Sequence, residues 1–129
     1  MHLLVLAHEA SWDKRYQVSS LAASAASQGD RVDLALFFAA LAAWVGGGWD
    51  RLDPAPPLAA GQIESLGFPP LTELLAGARA TGRVRLFACS ASVRLLGLDA
   101  AAVQERVDLI CGWSRFARMI AEADRVVTW

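Results

Sequence analysis

Five short apolar runs, separated by stretches with helical spacing, constrain this chain more than any other feature. "HLLVLA" (2–7) is continuously apolar after His2, as expected of a strand buried on both faces. "RVDLALFF" (31–38) alternates Val32, Leu34 and Leu36 with Asp33 and Ala35, then turns solidly apolar. Val84, Leu86, Phe87 and Ala88 form the third run, "VDLICG" (107–112) the fourth and "RVVTW" (125–129) the fifth. Between the first two runs, Val18, Leu21, Ala22 and Ala25 fall on one face of a helix over 12–28. Ser11 is placed to cap it, Asp13 lies in its first turn, and Gly29 takes the C′ position. A short helix ends near Val45. In "PPLTELLAGARATG" (69–82), Leu71, Leu74, Leu75 and Ala78 recur at i, i+3, i+4 and i+7 before Gly82 closes the helix. A short helix runs from Cys89 to Gly97, Asp99 caps a turn over 100–105, and Trp113, Phe116, Ala117 and Ile120 mark one face of the last helix. Strands alternating with helices predict an α/β domain: a three-layer α/β/α sandwich around a mostly parallel sheet of about five strands.

The 129 residues fit one domain, 1–129, large enough to bury a core without metals or disulfides. Its one long irregular segment is "GGGWDRLDPAPPLAAG" (46–61), where glycines and prolines argue against regular structure. Hydrophobic residues make up 55% of the chain and charged residues 19%. So much apolar matter implies a sheet covered on both faces or apolar surface covered by another subunit, and argues against an isolated monomer. The net charge is −1 and no basic stripe runs along any segment, which argues against a nucleic-acid partner. The longest apolar stretch, from Leu34, reaches glycines well short of the ~20 residues of a membrane span. The N-terminus lacks the basic and cleavage features of a signal peptide. With no CxxC pair, the two cysteines read as reduced thiols of a cytoplasmic protein.

In parallel α/β sheets the ligand or reaction site lies at the C-terminal strand ends. Those ends are His8-Glu9, the segment after Phe38, Cys89-Ser90 and Cys111-Gly112. Cys89 precedes a helix, whose unpaired N–H groups and dipole favour a thiolate. Its small neighbours Ser90, Ala91 and Ser92 leave the sulfur open, Ser90 or Ser92 is placed to cap the helix, and Arg94 stands one turn on to lend positive charge. The competing reading is plain packing, because free cysteines are among the most buried residues. Cys111 reads as core or a neighbour of the site. His8 is either a proton carrier or a packing residue. Glu9 is either part of the site or a solvated loop acid. Trp12, Trp44, Trp49 and Trp113 either wall a pocket or fill a core or subunit interface. The two cysteines and two histidines have no zinc-type spacing, and GxGxxG, GxxxxGK[ST] and GxSxG are all missing, so neither metal nor cofactor is expected.

Three segments resemble the DsrE/DsrF-like family of small sulfur-relay proteins, of the DsrE and TusD type. "VRLFACSASVRLLGLD" (84–99) matches its strand, cysteine, small-residue helix and glycine. "HLLVLAHEASWDKRYQVSSLAASAASQGDRVDLALFF" (2–38) matches its opening strand, helix, "GD" turn and second strand. "ARMIAEADRVVTW" (117–129) matches its closing helix and strand. The stretch "SASVRLLG" stands closer to the peroxiredoxin-like relatives within the family. The resemblance implies a parallel α/β sandwich, an oligomer, and a persulfide on Cys89 passed between sulfur donor and acceptor proteins. Three functions compete: a sulfur carrier on Cys89, a non-enzymatic binding or assembly module with an inert Cys89, and a redox protein in which Cys111 resolves Cys89. The first is the leading expectation. The third requires the two Cα atoms within ~7 Å.

Overall fold

A computed structural model of the chain describes residues 1–53 and 60–129. In chain order the elements are β1 (His2–Ala7), α1 (Trp12–Ser27), β2 (Arg31–Leu36), α2 (Phe38–Val45), α3 (Ala60–Ser65), α4 (Leu71–Ala80), β3 (Val84–Cys89), α5 (Ser90–Leu95), α6 (Ala100–Gln104), β4 (Leu109–Cys111), α7 (Trp113–Glu122) and β5 (Arg125–Thr128). The sheet is five-stranded and parallel throughout, in the order β4-β3-β2-β1-β5. This is the α/β sandwich expected from the alternating runs.

Strand order dictates where the helices go. From β1 to β4 each strand is laid beside the last in one direction, and right-handed crossovers keep the connecting helices on one face. The chain then crosses back from β4 to the far side of β1, which puts α7 on the opposite face. The two apolar clusters follow this division. The larger joins Leu3, Val5, Leu34, Leu36 and Leu86 to residues of α1, α2, α4, α5 and α6. The smaller joins Leu4, Leu6, Ala35, Phe37, Phe87 and Cys89 to only Phe116 and Met119 of α7. Helices cover both faces, but very unequally.

Several boundaries depart from the sequence reading. β2 stops at Leu36 rather than 38: Phe37 caps α2, and Phe38 opens it with φ +40. β4 is only three residues long, because the Asp108 carboxylate rather than a strand residue meets the N–H of Leu86, at 2.7 Å. Ser11 occupies the N-cap of α1 without a side-chain cap bond. Gly29 does end α1 at φ +93, where Asp30 N–H reaches back to the Ala25 carbonyl at 3.0 Å, as in a Schellman turn. Asp99 caps α6, accepting from the N–H of Ala101.

Of the irregular segment assigned to 46–61, residues 54–59 lie outside the described residues, and 60–61 already belong to α3. Residues 46–53 are non-helical but firmly tied down. Arg15 of α1, 3% exposed, donates to the carbonyls of Ala10, Gly48, Trp49 and Arg51 and stands 3.6 Å from the Asp53 carboxylate. Trp49 is 1% exposed, donates its indole N–H to Ser19 at 2.9 Å and meets Trp44 edge to face. Among the described residues no helix is long and apolar enough to cross a membrane.

Candidate functional site

The parallel ladder carries β3 and β4 side by side and pairs Cys89 with Cys111 in register. Register partners in a sheet point to the same face, so both thiols lie on the face that α7 covers. Leu109 and Cys111 pack there beside Cys89, Phe37, Phe116 and Met119. Both cysteines are free. Adjacent strands run ~4.8 Å apart, inside the Cα separation a disulfide accepts. The two thiols are therefore neighbours at the C-terminal edge of the sheet.

Their surroundings differ from expectation. Cys89 is 1% exposed, so its small neighbours do not open the sulfur to solvent. Residue 91 faces outward, while Phe37, Phe87 and Phe116 close over the strand end from the other side. Cys89 is itself the N-cap of α5, without a side-chain cap bond. Ser90 and Ser92 therefore lie inside the helix rather than at its cap. Ser92 is fully buried, and its hydroxyl accepts the N–H of Phe38 at 3.1 Å, holding the strained turn between β2 and α2. The Ser90 hydroxyl faces Gly112 in the turn into α7, where an added Cβ would sit 3.4 Å from it. Arg94 is exposed at the far end of α5, and its guanidinium makes no ion pair among the described residues.

Positive charge reaches Cys111 from a different residue. Arg115, in the first turn of α7, acts on Cys111. Burial nevertheless pushes the Cys111 thiol above its ordinary value. Arg115 pulls it down, and the neighbouring Cys89 adds to the rise. The thiol form of Cys111 is favoured, and Cys111 is the half-buried member of the pair.

An aromatic stack closes this end of the sheet. The His8 ring lies on Phe37 with centroids 4.7 Å apart, Phe37 lies on Trp113 at 5.3 Å, and Phe116 meets Phe37 at 5.0 Å. The His8 backbone is fixed on both sides, its N–H donating to the Trp129 carbonyl and its carbonyl accepting from Ala40. Trp113 is 50% exposed and forms the outer layer of the stack. Glu9, next to His8 in sequence, is exposed. Trp12 and Trp49 are placed elsewhere: both pack against the larger cluster, on the opposite face from the thiols. His8, Cys89, Ser90 and Cys111 thus share one region, whereas Trp12, Trp49, Ser92 and Arg94 do not. Phe37 and Arg115 complete the region, and neither stood out in the sequence. Phe37 followed an apolar run as a strand residue would, and Arg115 sat on the polar face of a helix. Among the described residues no group of His, Cys, Asp or Glu could hold a metal ion.

Two solved structures share this architecture. The conserved protein of unknown function BT1422 from Bacteroides thetaiotaomicron superposes with a TM-score of 0.66 at 9% identity, covering 99% of this chain and 94% of that one. The protein of unknown function MTH1491 from Methanobacterium thermoautotrophicum superposes with a TM-score of 0.63 at 14% identity, covering 99% and 98%. At such identities the likeness concerns the fold alone. No curated protein matches the chain. The sequence itself matches the DsrE/DsrF-like family over residues 1–129, and the chain, with its paired thiols at the sheet edge, belongs to that family.

Proposed function

We propose that the chain relays sulfane sulfur through the Cys89–Cys111 pair, with Cys89 holding the persulfide. Family membership suggests a sulfur-relay type of function. The observation that carries the finer reading is the register pairing of the two thiols on one face of the sheet. Cys111 is the more exposed of the two and meets the donor first. Its thiolate attacks the outer sulfur of a donor persulfide R–S–SH; R–S⁻ leaves, and Cys111–S–SH forms. Cys89 then attacks that outer sulfur. The Cys111 thiol is released, taking up the proton Cys89 gives up, and Cys89–S–SH is left behind the aromatic stack. Delivery runs in reverse: Cys111 takes the sulfur back from Cys89, and the thiol of a docked acceptor protein removes it from Cys111 by the same displacement. Reduced thiols fit a cytoplasmic setting. The exposed Trp113 and Ile120 of α7 and Val126 of β5 supply apolar surface for a homo-oligomer.

Intact mass after exposure of the reduced protein to polysulfide, followed by a wash with a small thiol, tests this reading. Wild type should retain one added sulfur, Cys111→Ser should load slowly, and Cys89→Ser should lose its sulfur in the wash. Retention in Cys89→Ser equal to wild type would overturn the assignment. The same pairing favours a second reading, a Cys89–Cys111 disulfide couple. That reading appears in the same experiment as the loss of two hydrogens, dependent on both cysteines. No mass change in any variant would leave the family fold with a binding or assembly role.

A further inference from the structure

A cleft of ≈ 240 Å³ lies on the thiol-bearing face, towards the other end of the strands, between β2–β3 and α7. Its polar lining is Arg31, Asp33, Arg85, Arg115, Arg118 and Glu122. Four guanidiniums face two carboxylates, so the cleft holds two uncompensated positive charges in a chain whose net charge is −1.

The sheet side of this cleft is built rather than loose. Asp33 is 0% exposed at the middle of a central strand. Its carboxylate accepts from Arg85 Nε and Nη2 at 3.0 and 3.1 Å, from Arg31 Nη2 at 2.9 Å, and is 2.9 Å from His2 Nε2. One buried carboxylate therefore fixes two guanidiniums and leaves their remaining N–H groups to point elsewhere. Arg85 also lies over the Phe87 ring, 5.2 Å from its centroid. From the facing side come Arg115 and Arg118, three residues apart on one helical face. Among the described residues neither guanidinium makes a hydrogen bond or ion pair, and Glu122, one turn beyond Arg118, is not within ion-pair distance of it.

We propose that this cleft binds a tetrahedral dianion of the phosphate type. Guanidinium forks match the oxygen geometry of a phosphoryl group. The two uncompensated charges match its charge near neutral pH. The volume falls below the ~300–1,000 Å³ of sites for larger ligands, which suits inorganic phosphate or the phosphoryl group of a small phosphomonoester. The proposal does not rest on the sulfur chemistry above, although Arg115 lines this cleft and also acts on Cys111.

Calorimetric titration of the full chain at low salt with inorganic phosphate and with glycerol phosphate tests the proposal. Saturable binding of either probe is expected, weakened ~10-fold or more in both Arg115→Ala and Arg118→Ala and unchanged in Arg125→Ala, an exposed arginine on β5. Tighter binding of glycerol phosphate would identify the source as a phosphorylated small molecule, and tighter binding of phosphate as the free ion. The two cleft variants remove solvent-facing side chains, and unfolding curves without ligand verify that they fold. Absence of saturable binding by both probes, or full binding in both cleft variants, would overturn the proposal.

Discussion

Replacing Arg15 by methionine should destabilise the protein by about 3 kcal/mol while leaving its thiol chemistry intact. The side chain is almost wholly buried and donates to four backbone carbonyls of residues 10 and 48–51. Methionine keeps most of the apolar stem, so the loss is chiefly polar. The carbonyls of Ala10, Gly48 and Arg51 are near enough to solvent to find water, and their bonds count little. The Trp49 carbonyl is buried, and stranding it costs ~1–3 kcal/mol. Loss of the remaining charge-assisted bonds and the weak pairing with half-buried Asp53 adds ~1 kcal/mol. For a chain of this length each kcal/mol moves the melting temperature by roughly 3–5 °C, so a fall of about 10–15 °C is expected. Arg15→Lys keeps a charge and some of the donors, and should fall between the two. Thermal denaturation measured by far-UV circular dichroism gives the shift, and the Trp49 indole N–H resonance, assigned by a Trp49→Phe variant, reports whether residues 46–53 loosen. Sulfur loading at 20 °C should be unchanged, because Arg15 and the thiols lie on opposite faces of the sheet. A melting temperature for Arg15→Met within 2 °C of wild type would refute the claim that this side chain holds the segment down.

Burial raises the Asp33 carboxyl, but the hydrogen bonds from Arg85, Arg31 and His2 outweigh it and hold the folded pKa below the ordinary 3.8. The stability Asp33 contributes is therefore present above pH 3.8 and is lost as the pH falls through the lower folded value. Asp33→Asn should cost ~2 kcal/mol at pH 7 in urea denaturation, less than a fully buried pair because its arginines are half exposed, and the difference from wild type should shrink in strong acid. Burial is the largest influence on the Cys111 thiol and raises it, so even with the smaller contribution of Cys89 removed its alkylation rate should reach half-maximum above the ordinary thiol value of 9.0. Arg115→Ala should push that midpoint higher still, as read by iodoacetamide kinetics in a Cys89→Ser background. Ser92→Ala strands the N–H of Phe38 and should cost ~1–3 kcal/mol in the same denaturation assay. Phe37→Ala removes a fully buried ring from the stack over the strand ends. It should cost ~3–5 kcal/mol and speed alkylation of Cys89 in a Cys111→Ser background; an unchanged rate would mean that the stack does not shield the thiol.

The strands were legible because a strand buried on both faces leaves an unbroken apolar run, and "HLLVLA" is one. Gly29 and Asp99 were legible because a helix end demands a residue type, not a tertiary partner. What depends on strand order was not. Cys89 and Cys111 become neighbours only because β4 pairs with β3, and no local pattern encodes that. Burial of Cys89 likewise comes from Phe37 and Phe116, residues distant in sequence. Nothing in the sequence singles out Arg15, because three of the carbonyls it serves lie more than thirty positions on, in a stretch whose glycines suggested only irregularity. Asp33 read as one polar tooth of an alternating strand. Its partners come from two other strands and from its own strand two residues before it.

The unequal helix cover explains why both candidate sites share one face. A ten-residue helix is about 15 Å long and about 10 Å wide. Five strands at ~4.8 Å span about 19 Å. α7 alone cannot cover that surface, whereas the larger cluster draws on five helices. The uncovered part must therefore be made of groups that tolerate water. At the N-terminal ends of β2 and β3 the chain solves this with one buried carboxylate and the guanidiniums it anchors. At the C-terminal ends it uses stacked rings above two thiols. Arg115 serves both ends, lining the cleft and acting on Cys111. The opposite face is covered by alanine-rich α1 packed beside α4.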